Sequence, residues 1–520
     1  MGNKWQTTSL KELGVRLIDC DHKTPKAVES GIPYIGIPQM DNGRINFDAN
    51  PRLISEDDFK HWTRKANPMY GDIILSRRCN SGETVYVPRN SKFALGQNLV
   101  LLRPEGERVH PEYLRWAVHG KEWWNEVAKY LNPGAIFESL KCADIPKFKI
   151  PEPPISAQIK IAEHLSAISG KIELNQKINQ TLEQMAQALF KSWFVDFDPV
   201  FDNLLASVDF NLENLETSLP EELKQKAQRR LVALNSLENV AQCKASLSAL
   251  AHELQALSQT KEVTKDAPQA TVSAAETPVK ANLNGNPKIL VQHANTHAHF
   301  PNEFEHNEQL GWIPKGWEGK FFKEVIDKYI DNRGKTPPLV NNGIPLIEVK
   351  HIPESSNFPS FKSEKQFSLE TYNTWFRAHV EERDILISTV GTIGRTAYVK
   401  DTKFGIAQNI LGLRFGKHVN PEYMFYYIKS HRFQYDMDAR LITTVQASIK
   451  RKDLDTITIL VPDGQIQNRF SEIINSILTQ QFSKKLESEQ LAKLRDTLLP
   501  KLISGELQIP DIATDEEVVD

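Results

Sequence analysis

Apolar residues recur at alternating steps of four and three along residues 161–193, and this spacing predicts a long helix with one apolar seam. The seam positions are Ile161, Leu165, Ile168, Ile172, Asn175, Asn179, Leu182, Ala186, Leu189 and Trp193. Two of these positions are polar. Asn175 and Asn179 either set the register against a facing helix or mark a locally exposed part of the seam, and the pattern leaves both interpretations open.

A second, less regular helical pattern lies near the other end of the chain. Its apolar positions are Phe470, Ile474, Ile477, Leu491, Leu494 and Leu498. Because proline interrupts a helix, Pro199 and Pro500 are predicted to end the two helices. Each helix then has about 40 residues and a length of ~60 Å at 1.5 Å per residue. Since both carry an apolar face, we predict that they pair as an antiparallel coiled coil.

The segments that precede the two helical patterns repeat each other. HKTPKAVESGIPYI at 22–35 returns as GKTPPLVNNGIPLI at 334–347, a shift of 312 residues. The shift falls to 309 at Gln158 and Gln467, as expected of a duplicated domain with small insertions and deletions. Each copy combines β-favouring runs such as DIILS and DILIST with helices that open at proline, PEYLRWAVHG and PEYMFYYIKS. Each copy is therefore predicted to be a mixed α/β domain.

These patterns predict an α+β protein in which two repeated α/β domains are separated by two long helices that pair as an antiparallel coiled coil. The predicted segments are a first domain at 1–154, a central helix at 155–199, a helical insert and disordered linker at 200–311, a second domain at 312–462, a C-terminal helix at 463–505 and an acidic tail at 506–520. The linker prediction rests on residues 259–288, which lack both periodicity and aromatic residues.

The formal net charge of −3 hides an uneven distribution. Residues 1–152 hold 22 Lys and Arg against 19 Asp and Glu, and residues 312–462 hold 22 against 17. The rest of the chain is acidic. Excess positive charge on the repeated domains favours a surface that binds a polyanion, and ordinary solvated surface is the alternative.

The sequence also argues against several classes of protein. No run approaches the ~20 apolar residues of a membrane helix, and the first residues lack the apolar run of a signal peptide, so we predict a cytoplasmic protein without a membrane partner. The four cysteines lie far apart, which is typical of reduced thiols rather than disulfides or a zinc site. The Asn/Asp-Pro-Pro-aromatic motif of amino-methyltransferases is missing, and VGTIGRT at 390–396 lacks the Gly-Lys-Ser/Thr of a phosphate loop. No catalytic or metal site is predicted, and a binding protein is favoured.

Two diverged α/β domains, each followed by a long helix, resemble the specificity (S) subunit of bacterial type I restriction–modification systems. The match lies in ALFKSWFVDFDPV at 188–200, FPNEFEHNEQLGWIPKGWE at 300–318 and KLRDTLLPKLISGEL at 493–507. The resemblance implies that each copy is a target-recognition domain that reads one half of a bipartite, asymmetric DNA site. It also implies that the paired helices set the unread spacer and dock methyltransferase subunits. The insert at 201–299 and the acidic tail depart from the resemblance.

The implied partners are double-stranded DNA and two methyltransferase subunits, with restriction subunits as further partners in a complete enzyme. No cofactor is implied for this chain, because S-adenosylmethionine would belong to the methyltransferase, and ATP and Mg to a restriction subunit. Two alternatives stay open. One is a self-contained DNA methyltransferase or endonuclease polypeptide, and the other is a structural coiled-coil scaffold that binds no nucleic acid.

Residues expected to contact DNA lie in or beside loops that the two copies share. They are Lys23, Arg77, Arg78, Arg333, Lys335, Thr392 and Arg395. Arginine can donate two hydrogen bonds to a guanine edge and lysine more often meets phosphate, with a surface salt bridge as the alternative. Gln97-Asn98 returns unchanged as Gln408-Asn409, which favours structural hydrogen bonding over adenine reading. The candidate partner-binding residues are Trp193, Phe194, Leu498 and Leu502; for the two aromatic residues, packing of the helix pair is the alternative.

Overall fold

The computed structural model describes residues 5–105, 107–132, 138–215, 219–238, 240–263, 296–332, 335–441 and 447–509, and of residues 253–263 only the backbone. Two compact units make up the chain: unit 1 comprises residues 1–177 and 485–520, and unit 2 comprises residues 178–484. Most of the predicted disordered linker and of the acidic tail lies outside the described residues.

The first α/β domain belongs to unit 1. Its strands are β1 Thr7–Ser9, β2 Val15–Asp19, β3 Ile32–Ile35, β4 Met40–Asp41, β5 Arg44–Ile45, β6 Arg52–Ile54, β7 Ile73–Ser76, β8 Thr84–Tyr86, β9 Ala94–Leu95, β10 Leu99–Pro104 and β11 Lys149–Pro151, and its helices are α1 Glu56–Thr63, α2 Pro111–Ala117 and α3 Lys121–Tyr130. The central sheet is antiparallel in the order β2-β10-β7-β8. A second sheet, β6-β3-β9, pairs β3 with β9 in parallel.

Both faces of the central sheet are buried, which explains why β7 reads as a continuous apolar run rather than an alternating one. Because successive side chains of a strand point to opposite faces, Ile73 and Leu75 enter one hydrophobic cluster and Ile74 enters another. The first of these clusters also takes in Tyr113 and Leu114 of α2. The sheet thus lies between two hydrophobic clusters, one on each face.

Four further helices follow the first domain: α4 Ile155–Phe194, α5 Asp198–Ser207, α6 Glu221–Asn235 and α7 Val240–Val263. The 40-residue α4 ends before Pro199, which lies in the first turn of α5 instead. Helix α7 extends five residues into the predicted linker. Asp202 of α5 is fully buried and receives hydrogen bonds from Arg230 Nε and Nη2 at 2.7 and 2.8 Å, so an ion pair secures the insert in unit 2.

The second α/β domain belongs to unit 2. Its strands are β12 Phe304–Asn307, β13 Gly311–Pro314, β14 Glu318–Phe321, β15 Lys328–Ile330, β16 Ile344–Ile347, β17 Gln366–Phe367, β18 Ile385–Ser388, β19 Thr396–Tyr398, β20 Gly405–Ile406, β21 Ile410–Arg414 and β22 Thr458–Val461, and the helices from here to the end of the chain are α8 Phe322–Val325, α9 Leu369–Trp375, α10 Pro421–Lys429, α11 His431–Asp438, α12 Arg451–Leu454 and α13 Gly464–Ser504. Its central sheet has the order β15-β21-β18-β19 and its second sheet the order β17-β16-β20. Both orders repeat those of the first domain, so the predicted duplication is present in the topology.

The prediction that Pro500 ends the last helix is wrong, because α13 continues through Pro500 to Ser504. Proline removes one backbone donor, and this loss is tolerated near the end of the helix because the last turn is anchored by two buried residues, Leu502 and Ile503. The helix stops instead at Gly505, whose φ of 79° is the left-handed conformation common just past helix ends.

Within each unit, α4 and α13 segments pair antiparallel. In unit 1, Asn175 is fully buried and its Nδ2 donates to Glu487 Oε2 at 3.1 Å. In unit 2, Asn179 Nδ2 donates to the carbonyl oxygen of Gln481 at 3.1 Å, and Gln481 Nε2 donates back to the Asn179 carbonyl at 3.1 Å. The two asparagines therefore bond to the facing helix, as the register-setting interpretation requires.

Candidate nucleic-acid interface

In the first domain, three loops meet at one edge of the central sheet. Strands β2 and β7 run antiparallel to β10, so the loops after β2 and β7 lie beside the loop before β10. These loops carry Lys23, the Arg77-Arg78 pair and the Gln97-Asn98 pair. In the second domain the same strand order brings together the loops of Lys335, Thr392 and Gln408-Asn409. The predicted DNA contacts within the described residues thus lie in loops at one end of each central sheet.

The loop after β7 and its counterpart after β18 are held by equivalent backbone hydrogen bonds. Arg77 N donates to Asn98 O at 3.0 Å, and Leu140 N donates to Arg77 O at 2.9 Å. In the second domain Thr389 N donates to Asn409 O at 2.9 Å, and Ile449 N donates to Thr389 O at 3.0 Å. The scaffold is therefore the same in both domains, although Arg77 is replaced by Thr389.

The two neighbouring arginines of the first domain differ in exposure. The Arg77 side chain is only 11% exposed, and its Nη2 lies 3.9 Å from Asp19 Oδ1. Its Nε is buried and has no hydrogen-bond partner among the described residues. Arg78 is exposed, and no ion pair of Arg78 occurs in the described parts of the chain. Of the two, Arg78 is the side chain that can reach a ligand without a change in packing.

The other predicted contacts fall into two groups. Lys23, Lys335 and Thr392 are exposed. Arg395 is half-buried, with Nη2 3.2 Å from Glu354 Oε1 and Nη1 3.4 Å from Ile352 O. Its geometry is that of a surface salt bridge, which was the alternative interpretation. Arg333 lies outside the described residues.

The repeated Gln-Asn pairs contribute to the loops through their backbones. Asn98 and Asn409 accept through their carbonyl oxygens, a role that any residue could fill. The side chains of Gln97 and Gln408 are exposed, and neither forms a side-chain hydrogen bond within the described residues. Hydrogen bonding among the described residues therefore does not explain why both copies have glutamine at this position.

Gln408 separates two surface hollows of the second domain. One has a volume of about 490 Å³ and is lined by Lys335, Lys350 and Lys365. The other has a volume of about 530 Å³ and is lined by Lys450, Arg451 and Lys452. Lys365 pairs with Glu348 at 2.6 Å, whereas no ion pair of Lys335, Lys450 or Lys452 occurs among the described residues. The Lys450-Arg451-Lys452 group was missed in the sequence, where three successive basic residues are a visible signal.

The candidate partner-binding residues lie in the core of this chain. Trp193 and Phe194 are buried in unit 2, where their ring centroids lie 5.8 and 5.0 Å from that of Phe470 on α13. Their contacts are those of the packed helix pair. In unit 1, Leu502 is buried and Leu498 half-buried in the cluster that contains α2. None of these four side chains offers a large free apolar surface.

Asp19, Cys20 and His22 form the one group in the described structure with the donor atoms and spacing of a metal site. Cys20 donates from Sγ to Gly96 O at 3.1 Å, and burial raises the pKa of its thiol to about 11. His22 Nε2 lies 3.1 Å from Asp19 Oδ2. A protonated thiol and the nearby Arg77 cation suit loop stabilisation better than cation binding.

None of the described helices is long and apolar enough to cross a membrane.

The structure is thus a duplicated α/β domain in which equivalent loops are held by the same backbone hydrogen bonds but carry different side chains. The chain belongs to the family of the type I restriction modification DNA specificity domain, which it matches over residues 2–184 and 314–494. The family predicted from the sequence motifs is therefore confirmed, as is a fold with two recognition domains.

Two curated relatives are similar over most of their length. The specificity subunit of the type I restriction enzyme HindI of Haemophilus influenzae is 25% identical over 456 residues, which cover 84% of this chain and 86% of the relative. The MjaIX specificity subunit of Methanocaldococcus jannaschii is 23% identical over 493 residues, covering 92% and 88%. A crystal structure of a type I S subunit from M. genitalium is 13% identical, covers 96% of each chain and has a TM-score of 0.49.

Proposed function

We propose that this chain is the DNA-reading subunit of a type I restriction–modification complex, and that each domain reads one half of a bipartite site. One observation carries the proposal. Equivalent backbone hydrogen bonds hold the loops after β7 and β18, yet the positions they present differ: Arg78 corresponds to Val390, and Asn80 to Thr392. Different side chains on one scaffold are what two different half-sites require, because base edges are distinguished by donor and acceptor pattern.

Charge supports DNA as the ligand. Lys23 and Arg78 in the first domain, and Lys335, Lys450 and Lys452 in the second, are exposed at or beside the loop edge. Lysines of this kind neutralise phosphates and fix the position of a protein on the duplex, while arginine and amide side chains read bases. We assign Lys335, Lys450 and Lys452 to phosphate contact and Arg78, Gln97 and Gln408 to base contact.

We further propose that the paired helices set the length of the unread spacer and carry the methyltransferase subunits. Helix α4 is continuous over 40 residues, which supports a rigid spacer element. Trp193 and Phe194 are buried, so we assign docking to apolar side chains that remain exposed on the helices. These are Ile155, Leu174, Met185, Leu486 and Leu494. Methyl transfer would then belong to the partner and not to this chain, and the complex would act on chromosomal DNA in the cytoplasm.

The experiment that tests the function is a methylome. The chain is co-expressed with the methyltransferase subunit of its own system, and modified bases are mapped by long-read sequencing. The expected result is one bipartite motif, and replacing residues 1–154 by the first domain of another S subunit changes one half of that motif. Methylation by the purified chain alone would support a self-contained enzyme instead. Absence of salt-dependent DNA binding would support a scaffold.

A further inference from the structure

The second domain contains a surface hollow with an exposed aromatic ring, beside the loops that carry its predicted DNA contacts. We call it the Trp375 hollow, and its volume is about 490 Å³. Its lining includes an exposed tryptophan, two buried apolar side chains, an exposed lysine and an exposed amide, which are Trp375, Leu346, Phe376, Lys335 and Gln408. The lining thus combines aromatic and apolar surface with cationic and amide groups.

In the first domain a tyrosine ring lies between the equivalent residues. Tyr34 of β3 is 7% exposed, and its hydroxyl accepts a hydrogen bond from Gln97 N at 3.2 Å and donates to Lys23 O at 3.5 Å. Trp62 of α1 packs against the hydrophobic cluster that contains Tyr34, and its Nε1 donates to Lys23 O at 2.8 Å. Tyr34 therefore fills the space between Trp62 and the two loops.

Each of these four residues has a counterpart that lines the Trp375 hollow. Tyr34 pairs with Ala94 in parallel, as Leu346 does with Gly405, so both occupy the same place in the second sheet of their domain. The other equivalent pairs are Lys23 and Lys335, Trp62 and Trp375, and Gln97 and Gln408. Since leucine is smaller than tyrosine and has no ring, the second domain leaves open the space that the Tyr34 ring fills in the first.

Trp375 lacks the contacts that hold its counterpart. Each of the two tryptophans lies seven residues after the serine that caps its helix, Ser55 for Trp62 and Ser368 for Trp375. Trp62 is half-buried, whereas Trp375 is 44% exposed and its Nε1 has no hydrogen bond among the described residues. An exposed ring beside a positively charged loop is the kind of surface on which proteins stack a nucleobase.

The polar groups of the hollow suit a nucleotide. Lys335 is exposed and forms no ion pair within the described parts of the chain, so it is available to a phosphate. The carboxylate of Glu348 also lines the hollow, but Lys365 Nζ lies 2.6 Å from its Oε1 and balances its charge. The exposed amide of Gln408 offers both a donor and an acceptor, as the edge of a base requires.

We propose that the Trp375 hollow takes up one nucleobase that is turned out of the duplex in the half-site read by the second domain. The base stacks on Trp375 in the space that Tyr34 fills in the first domain, Gln408 bonds to its edge, and Lys335 contacts an adjacent phosphate. Proteins that turn out a base hold it in this way, between aromatic and apolar side chains with hydrogen bonds to its edge. The inference rests on the proposed function and adds that the two domains read their half-sites by different means.

The test uses the complex of the full chain with its methyltransferase subunit, bound to duplexes that carry the methylated motif. At each position of both half-sites one base is kept and the base opposite is replaced by a mismatched one. The methylated base pairs are left out, because methyltransferases turn out their own target base. Fluorescence anisotropy gives the dissociation constant for each duplex. Where a base pair is read within the duplex, the mismatch should weaken binding by about 5- to 150-fold.

We expect one position, in the half-site of the second domain, at which the mismatch instead tightens binding by about tenfold, because the pair is easier to separate. The tightening should disappear in Trp375→Ala, which removes the stacking ring, and in Leu346→Tyr, which fills the hollow as in the first domain. The matched controls should retain it. They are Leu369→Ala, at an exposed position of the same helix as Trp375, and Leu346→Met, which keeps the apolar volume.

Two outcomes would overturn the proposal: no position at which a mismatch tightens binding, or tightening of equal size in the parent and in Trp375→Ala. Because Trp375 is exposed, its variant keeps the test valid if Leu346→Tyr does not fold. If binding stays specific for the motif while every mismatch weakens it, this inference fails and the proposed function stands. Loss of specific binding in the parent complex would contradict the proposed function, and this inference with it.

Discussion

Gln158 Oε1 accepts a hydrogen bond from the backbone N–H of His110 at 2.8 Å, and this bond joins the start of α4 to the start of α2. The amide Nε2 of Gln158 also donates to Arg108 O at 2.9 Å and Pro153 O at 2.8 Å. In the second domain Gln467 repeats the arrangement, accepting from Asn420 N at 2.9 Å and donating to Pro462 O at 2.8 Å. The same side chain thus fixes each recognition domain to the long helix that follows it.

Replacing Gln158 by Ala should lower the free energy of unfolding by about 1–3 kcal/mol, because buried partners lose their hydrogen bonds. Denaturant unfolding followed by tryptophan emission measures the change. Gln180→Ala, at an exposed position of α4, is the matched control and should change stability by less than about 0.5 kcal/mol. Equal effects of the two substitutions would contradict the role assigned to Gln158.

Replacing Arg78 by Ala should relax one base position in one half-site and leave the other half-site unchanged. The expected loss of discrimination is about 1–3 kcal/mol, the value of a good bidentate base contact. The measurement is the methylome of a host that carries the variant and its methyltransferase. Lys60→Ala, an exposed lysine of α1 in the same domain, should leave the motif intact. A change in both half-sites, or in neither, would show that Arg78 does not contact the bases of one half-site.

Arg77→Ala should behave differently from Arg78→Ala, because Arg77 is largely buried beside Asp19. We expect a lower melting temperature and weaker binding to both cognate and non-cognate DNA, without a new base preference. Binding is measured by fluorescence anisotropy on matched duplexes at one salt concentration. A relaxed motif with unchanged melting temperature would show that Arg77 reads a base directly.

Inserting one heptad into α4 after Lys177 and one into α13 after Lys484 should lengthen the unread spacer without changing either half-site. Both insertions fall at the boundary of units 1 and 2, so the contacts within each unit are kept. Seven residues add ~10.5 Å at 1.5 Å per residue, which corresponds to about 3 base pairs at 3.4 Å each. Methylome sequencing reads the spacer directly. An active variant with the original spacer would show that the helices do not set its length.

Glu183→Gln should destabilise unit 2 at neutral pH and have a smaller effect in acid. Burial by itself would raise the pKa of Glu183, but the Lys429 charge and the hydrogen bonds from Lys429, Asn357 and Gln187 outweigh it and hold the pKa below 4.5. A lowered pKa contributes stability above the unfolded value, and this contribution is lost as the pH falls through the folded value. Urea unfolding at a series of pH values measures the difference between parent and variant.

The parent-to-variant difference should be constant from pH 8 to about pH 5.5 and shrink below the unfolded value of 4.5. Glu163→Gln, at an exposed position of α4, is the control and should show no such dependence. A difference that grows in acid would mean that Glu183 is protonated in the folded protein.

The periodicity of the sequence predicted the positions of the long helices. It did not predict the hydrogen-bond partners of the polar residues in the seam. A buried asparagine needs a partner, and the partners of Asn175 and Asn179 lie on a helix about 300 residues away in the sequence. The same separation explains the error at Pro500. A local rule ends the helix there, whereas burial of Leu502 and Ile503 in the first-domain cluster keeps its last turn folded.

The duplication, the two α/β domains, the long helices and the family were all determined by the sequence, because each depends on spacing and similarity along the chain. The tertiary structure decided which side chains are free to act. Arg77 and Arg78 are adjacent and chemically identical, yet the loop geometry buries one against Asp19 and exposes the other. Trp193 follows the seam, but only the packing of unit 2 shows that its ring lies against Phe470. Exposure and pairing are set by residues distant in the chain, and no local pattern contains them.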